Sequence, residues 1–216
     1  TTTDDAEGDI TSRTDTTDVT DTLIDAAIAQ LTGDIMQKPA AVSAIKIDGK
    51  RAHERVRDGE TVDIPARPVT VHRFDVLDRR SVDGYIDLDV DVFCSSGTYI
   101  RSLARDLGNA LGVGGHLTAL RRTTVGPFDL THARTLEELE DNPQLSLTLD
   151  QALAASFPIL RVSGEEGHKL AMGQWLEPRG LKGIHAAVTP DGQAVALVKE
   201  KGKRLATVFV ARPSTL

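Results

Sequence analysis

Residues 94–108 read CSSGTYIRSLARDLG. Two arginines, Arg101 and Arg105, stand four residues apart, with Tyr99 two residues before the first. Ile100, Leu103, Ala104, Leu107 and Leu111 recur at helical spacing, so the stretch predicts an amphipathic helix over residues 99–111. Thr98 is the expected N-cap, Gly97 permits a tight corner into the helix, and Gly112 to Gly115 end it. This places Arg101 in the first turn, where unpaired N–H groups carry partial positive charge. A cation there costs a few tenths of a kcal/mol, roughly, unless an anion faces it. The expected chemistry is therefore anion pairing by Arg101, with a carboxylate or a phosphate. Arg105 lies on the same flank, one turn on. A solvated arginine that tolerates the field is the plain alternative.

Other chemistry-bearing residues fall in basic clusters. Residues 38–57 hold Lys38, Lys46, Lys50, Arg51, Arg55 and Arg57 against only Asp48 and Glu54. Arg121 and Arg122 form a second cluster, and Lys199, Lys201, Lys203 and Arg204 a third. Local patches of this kind suit a polyanion even when the average charge does not, although each alone also reads as a solvated loop. The six histidines are scattered, none at ligand spacing to another. Ser95 lacks the G-x-S-x-G context of a nucleophile elbow. There is no Walker loop, dinucleotide fingerprint or paired-cysteine metal signature.

The elements around these residues can be read in outline. Residues 20–32 predict a helix capped by Thr20, with Leu23, Ile24, Ala27, Ile28 and Leu31 on one face and Gly33 closing it. Residues 34–68 have no clean period and read as a long basic excursion, with a helical turn near 53–57. Residues 69–77 and 85–94 predict an antiparallel pair joined at Ser81 to Gly84. In the second strand Ile86, Leu88, Val90 and Val92 alternate with Asp87, Asp89 and Asp91. Residues 117–130 lead to a short strand, and 135–141 and 147–155 predict short helices. Runs at 184–189, 194–199 and 205–211 predict a β-meander, with Trp175 in its core. The fold class expected is α+β: a mixed, mainly antiparallel sheet with helices, plus a small C-terminal β module.

The 216 residues carry a net charge of −7, which by itself argues against nucleic acid. The charge is uneven, however: residues 1–37 hold nine acidic side chains and one base, Arg13. A single cysteine, Cys94, allows no internal disulfide and fits a reducing compartment, so a cytoplasmic location is expected. No apolar run is long enough to span a membrane. The opening Thr1-Thr2-Thr3-Asp4-Asp5, without an initiator methionine, reads as the interior of a longer chain.

The motif CSSGTYIRSLARDLG, followed by LTALRRTTVGPF, resembles the TruB family of tRNA pseudouridine synthases. TDDAEGDI and QKPAAVSAIKIDGKRAHERVRDGE resemble two upstream family segments. The resemblance covers nearly all of residues 1–155. Residues 157–216 look like the family's PUA-like RNA-binding appendage. It implies a catalytic domain over 1–155 with a thumb-like basic insertion at about 36–68, and an RNA-binding domain over 156–216. It also implies isomerisation of uridine 55 in the T loop of tRNA to pseudouridine, by base flipping and attack of an aspartate, with no cofactor. By the same resemblance Arg101 pairs with the catalytic aspartate, Tyr99 and Leu120 line the nucleotide pocket, and Lys46, Lys50 and Arg51 belong to the thumb that meets RNA. Arg121 and Arg122 match the L-R-R segment and are expected RNA contacts.

Departures accompany the match. The aspartate motif G-x-L-D-P-x-A-T-G is not among these residues, nor is the strand with the aromatic that stacks on the target base. The expectation is an enzyme truncated at its N-terminus, and no acid within residues 1–37 fits the nucleophile. Val42 and His53 replace two thumb aromatics. Expected partners are the tRNA T stem-loop and no obligate protein, with the chain monomeric. An RNA-binding protein without catalysis is the rival reading. A hydrolase binding a small phosphorylated metabolite through Arg101 and Arg105 is another, but it leaves the basic 38–57 segment without a purpose.

Overall fold

The computed structural model describes residues 1–40 and 64–213 with their side chains, and the backbone of 46–47 and 50–51. The described chain divides into two compact units, Thr1–Arg121 and Arg122–Leu216. No helix among the described residues is long and apolar enough to cross a membrane.

In the first unit, helix α1 spans Asp21–Gln30, and the Thr20 hydroxyl accepts the Leu23 N–H as its cap. Gly33 leaves the helix with φ of 93°, a left-handed conformation that glycine adopts without strain. The next five residues form strand β1, Gly33–Gln37. Sequence patterning had placed them in an irregular excursion, because Met36 is exposed and the alternation is only five residues long. Two-residue strands β2 (Lys46–Ile47) and β3 (Lys50–Arg51) pair within the basic segment. The helical turn expected near 53–57, and the side chains of Lys46, Lys50, Arg51, Val42 and His53, lie outside the described residues.

Strands β4 (Arg67–Val82) and β5 (Tyr85–Cys94) are a long antiparallel pair. Their turn is Asp83-Gly84, with φ of 49° and 79°. Two consecutive left-handed residues match the right-handed twist of the flanking strands. The turn is thus two residues long rather than the four expected. The sheet order is β1-β4-β5. Ile86, Leu88, Val90 and Val92 pack toward a core of Val19, Ile24, Ala27, Ile28, Val71, Phe74, Leu103 and Leu107. The opposite face carries cross-strand charge pairs, such as Arg80 to Asp89 at 2.8 Å. These are surface pairs and stabilise little. Helix α2, Ile100–Ala110, covers the core with Leu103 and Leu107.

The second unit begins with strands β6 (Thr124–Val125) and β7 (Phe128–Asp129). Helices α3 (Leu136–Asp141) and α4 (Leu149–Ser156) follow, each started by a reciprocal capping box, Thr135 with Glu138 and Thr148 with Gln151. Strand β8 (Ile159–Arg161), helix α5 (Gly164–Ala171) and strands β9 (Ile184–Val188), β10 (Ala194–Lys201) and β11 (Arg204–Val210) complete it. The sheet order is β11-β10-β9-β8, antiparallel except for the β8–β9 pair. α4 is fastened to this sheet. Asp150 accepts from the Ala194 N–H and from Arg212, both at 2.7 Å, and Leu153 packs with Phe157 against Ala186, Val188 and Ala194. The expected boundary at 155/156 falls inside this unit. Trp175, expected in the core, is instead 45% exposed, and the Arg204 guanidinium stacks 4.8 Å from its ring centre. Leu176, not Trp175, points into the core. The mixed, mainly antiparallel α+β class agrees with the sequence expectation.

Candidate active site

The corner between β5 and α2 is built by local hydrogen bonds. Ser95 donates its N–H to the Thr70 carbonyl at 2.8 Å, and its hydroxyl accepts from the Thr70 N–H at 3.0 Å. Gly97 turns with φ of 88°. The Thr98 hydroxyl bonds back to the Ser95 carbonyl at 2.9 Å. Because that hydroxyl is engaged there, Thr98 is not the helix cap. The N-cap is Tyr99, which makes no side-chain cap bond. The Tyr99 backbone is held from another strand, by the side chain of Gln37: the Tyr99 N–H donates to Oε1 at 2.8 Å, and Nε2 donates to the Tyr99 carbonyl at 3.1 Å. Ser95 serves this corner, which accounts for its position without a nucleophilic role.

Arg101 has an anion in front of it. Its Nη1 donates to Asp5 Oδ2 at 2.7 Å and to the Thr3 carbonyl at 3.3 Å. The two side chains are 27% and 18% exposed, so the pair is shielded from screening more than a surface pair. Asp5 Oδ1 accepts the Thr3 hydroxyl at 2.5 Å and the Glu7 N–H at 3.2 Å. The Thr3 hydroxyl first, and then Arg101, hold the Asp5 carboxyl below the usual aspartate value, against the opposing effect of desolvation. Both oxygens of Asp5 are engaged. It orients Arg101 and is poorly placed to attack anything itself.

One turn on, Arg105 repeats the arrangement. Its Nη1 reaches Asp4 at 2.9 Å, its Nε reaches Asp106 at 2.9 Å, and its Nη2 donates to the Lys38 carbonyl at 2.6 Å. Two arginines on one flank of α2 thus grip two consecutive aspartates. The aspartates are delivered by a close backbone approach. Gly108 lacks a Cβ, and one placed there would lie 2.1 Å from the Gly114 backbone. The chain after α2 therefore folds flat against the helix, and Val113 and Gly114 both donate to the Gly108 carbonyl at 3.0 Å. It next reaches Leu117, which bridges to Asp5: the Leu117 N–H donates to the Asp4 carbonyl at 3.0 Å, and the Ala6 N–H donates to the Leu117 carbonyl at 2.9 Å.

Three residues beyond that bridge stands Leu120, 59% exposed, followed by exposed Arg121 and Arg122. The structure thus brings Tyr99 and Arg101 together at the start of α2. Leu120 and Arg121 follow on the segment that holds Asp5. The side chains of Lys46, Lys50 and Arg51 lie outside the described residues. Sequence reasoning missed Asp4, Asp5 and Gln37. The need of Arg101 for an anion was the signal for Asp5; Gln37 opens the family-like segment QKPAAVSAIKIDGKRAHERVRDGE, but no periodicity or spacing pointed to its contact with Tyr99. Among the described residues no group of three or more His, Cys, Asp or Glu side chains is placed to hold a metal ion.

Residues 1–100 match the family described as "TruB family pseudouridylate synthase (N terminal domain)". Residues 101–155 match "tRNA pseudouridylate synthase B C-terminal domain", and 157–212 match "tRNA Pseudouridine synthase II, C terminal". A protein of Corynebacterium efficiens named tRNA pseudouridine synthase B is 70% identical over 216 residues, covering 100% of this chain and 73% of that protein. One of the same name from Nocardia farcinica is 58% identical over 216 residues, covering 100% of this chain and 71% of its own. Among solved structures, the "Crystal Structure of a Cbf5-Nop10-Gar1 Complex" contains a chain that matches with a TM-score of 0.68 and 25% identity, covering 93% of this chain and 65% of that one. A chain in the "Structure of H/ACA RNP bound to a substrate RNA containing 2'-deoxyuridine" matches in fold, with a TM-score of 0.64 and 24% identity over 93% of this chain and 63% of its own.

Proposed function

The chain belongs to the TruB family of pseudouridylate synthases, and from that membership we propose that it carries the arginine and much of the RNA-contacting surface of an enzyme that isomerises uridine 55 of tRNA to pseudouridine. The observation that carries this reading is the Arg101–Asp5 pair at the N-terminus of α2, on the motif by which the chain resembles the family. An arginine presents donors in a rigid planar fork suited to carboxylates. Asp5 fixes that fork from one side. The nucleophile is then a second carboxylate, the aspartate of a G-x-L-D-P segment that is not among these 216 residues. Arg101 and the partial charge of the helix end keep that aspartate ionised.

The reaction needs no net change in composition. The glycosidic bond to N1 breaks, the detached uracil turns within the pocket, a bond to C5 forms, and the proton that leaves C5 balances the one gained at N1. The enzyme's work is to extract the base from its stack, hold it and exclude water. Tyr99 and Leu120 are read as walls of the nucleotide pocket. Lys46, Lys50 and Arg51, with Arg121 and Arg122, are read as phosphate contacts along the T stem-loop. Residues 156–216 are read as an RNA-binding module, which is supported by the separate family match over 157–212. We read the protein as a cytoplasmic monomer that acts without a protein partner; equilibrium sedimentation of the purified protein tests the monomer directly.

The test is incubation of the chain, extended at its N-terminus by a G-x-L-D-P segment, with a T stem-loop and no added metal or cofactor. Pseudouridine at position 55 is expected. Failure to form it, or formation only at another uridine, overturns the assignment.

A further inference from the structure

Gln37 is among the most deeply buried polar residues described, 2% exposed, and it closes β1. Both functional groups of its amide are used on one residue. Oε1 accepts the Tyr99 N–H at 2.8 Å and Nε2 donates to the Tyr99 carbonyl at 3.1 Å. This is the bonding of one β-ladder pair, made by a side chain. It fixes the orientation of the amide, since exchanging O and N would oppose donor to donor and acceptor to acceptor. The same Tyr99 carbonyl accepts the Leu103 N–H at 3.1 Å, which is the first bond of α2.

The arrangement replaces a missing cap. Tyr99 is the N-cap residue, with extended φ and ψ of −100° and 108°, and no side chain caps the helix. A helix start without a cap frays readily, and a frayed first turn would release Arg101, two residues on. The neighbouring residue reinforces the contact, because the Lys38 carbonyl accepts from Arg105 Nη2 at 2.6 Å. The end of β1 and the residue after it are therefore joined to α2 at its N-cap, Tyr99, and again nearly two turns later, at Arg105.

We propose that Gln37 is a positioning residue for the uridine isomerisation, clamping the backbone of Tyr99 so that the Tyr99 ring and the Arg101 guanidinium meet the substrate and nucleophile in register. It touches neither; it acts through the start of α2. This inference rests on the functional reading above, and its test separates the two. The chain extended by the G-x-L-D-P segment is compared with its Gln37→Met variant, which keeps the length and loses both hydrogen bonds, on a T stem-loop substrate. kcat is expected to fall by about 10- to 100-fold, with KM within about twofold, as for groups that matter only in the transition state. In the Arg101→Lys background the same substitution is expected to cost less than about threefold, because residues acting as one unit are not additive.

Hydrogen exchange at the Tyr99 and Leu103 amides provides a readout independent of turnover. It is expected to quicken in Gln37→Met, while amides of β4 and β5 stay protected. Gln37→Asn, shorter by one methylene, is measured in parallel should the methionine variant not fold, with the same kinetic and exchange changes expected. The proposal is overturned by a folded variant with wild-type kcat, by a loss equally large in the Arg101→Lys background, or by unchanged exchange at Tyr99. If the wild-type protein forms no pseudouridine, the functional reading fails, and unchanged exchange would still overturn the clamp.

Discussion

Arg101 and Asp5 stand 96 residues apart in sequence and 2.7 Å apart in space. The pull toward an anion was legible, because a cation in a first helical turn is favoured by one. The anion's identity was not, since it depends on a backbone approach between α2 and residues 113–117 that no periodicity reveals. Arg101→Lys keeps the charge and loses the planar fork. It is expected to lower kcat by about 100-fold or more, comparable to removing one preorganised donor, with RNA affinity little changed. Single-turnover assays at saturating enzyme measure this directly. Asp5 makes a second prediction, in acid. Its carboxyl lies below the ordinary 3.8 in the folded protein, so its contribution is complete above that value and is lost as pH falls through the lowered one. As pH falls below about 4, denaturant unfolding should therefore lose stability faster in the wild type than in Asp5→Asn. Equal slopes would mean that the Asp5 bonds add no net stability.

Elements with a strong repeating pattern were legible in the sequence; those fixed by distant contacts were not. The alternation of Ile86 to Val92 predicted β5 and its buried face, and α2 was read to within a residue at each end. Its cap was misread, because the Thr98 hydroxyl bonds to Ser95 while Gln37 supplies the bonds from β1. β1 itself was missed for want of alternation, as were β8 and α5, three and eight residues long. Trp175 was misplaced because apolar bulk alone does not tell a core residue from one stacked under Arg204 at the surface. Gly108 shows how an element carries the site. A methyl group there would meet the Gly114 backbone, not a side chain that could swing away. Gly108→Ala is expected to cost about 1–3 kcal/mol by overpacking and to loosen the Leu117–Asp5 bridge. Thermal unfolding reads the first effect, and exchange at the Ala6 amide the second. A variant as stable as the wild type would show that the 113–117 segment can move aside freely.

For the whole molecule, the net charge of −7 conceals a division of labour. Residues 1–37 provide Asp4 and Asp5 to the arginines of α2, and the proposed function assigns Lys46, Lys50, Arg51, Arg121 and Arg122 to the polyanion. Replacing Lys46, Lys50 and Arg51 together by alanine should weaken T stem-loop binding and flatten its salt dependence. The slope of log K against log salt should fall by about 2, given ~0.7–0.9 per phosphate contact. An unchanged slope would remove these residues from the RNA surface. The central claim is that the chain holds the arginine and the RNA while the attacking aspartate comes from elsewhere. Mixing this 216-residue chain with a T stem-loop, and measuring both binding and pseudouridine, tests it most directly. Saturable, salt-dependent binding without product is the predicted result. Pseudouridine formed by these residues alone would contradict it, and would place the nucleophile among the aspartates assigned here to charge pairing.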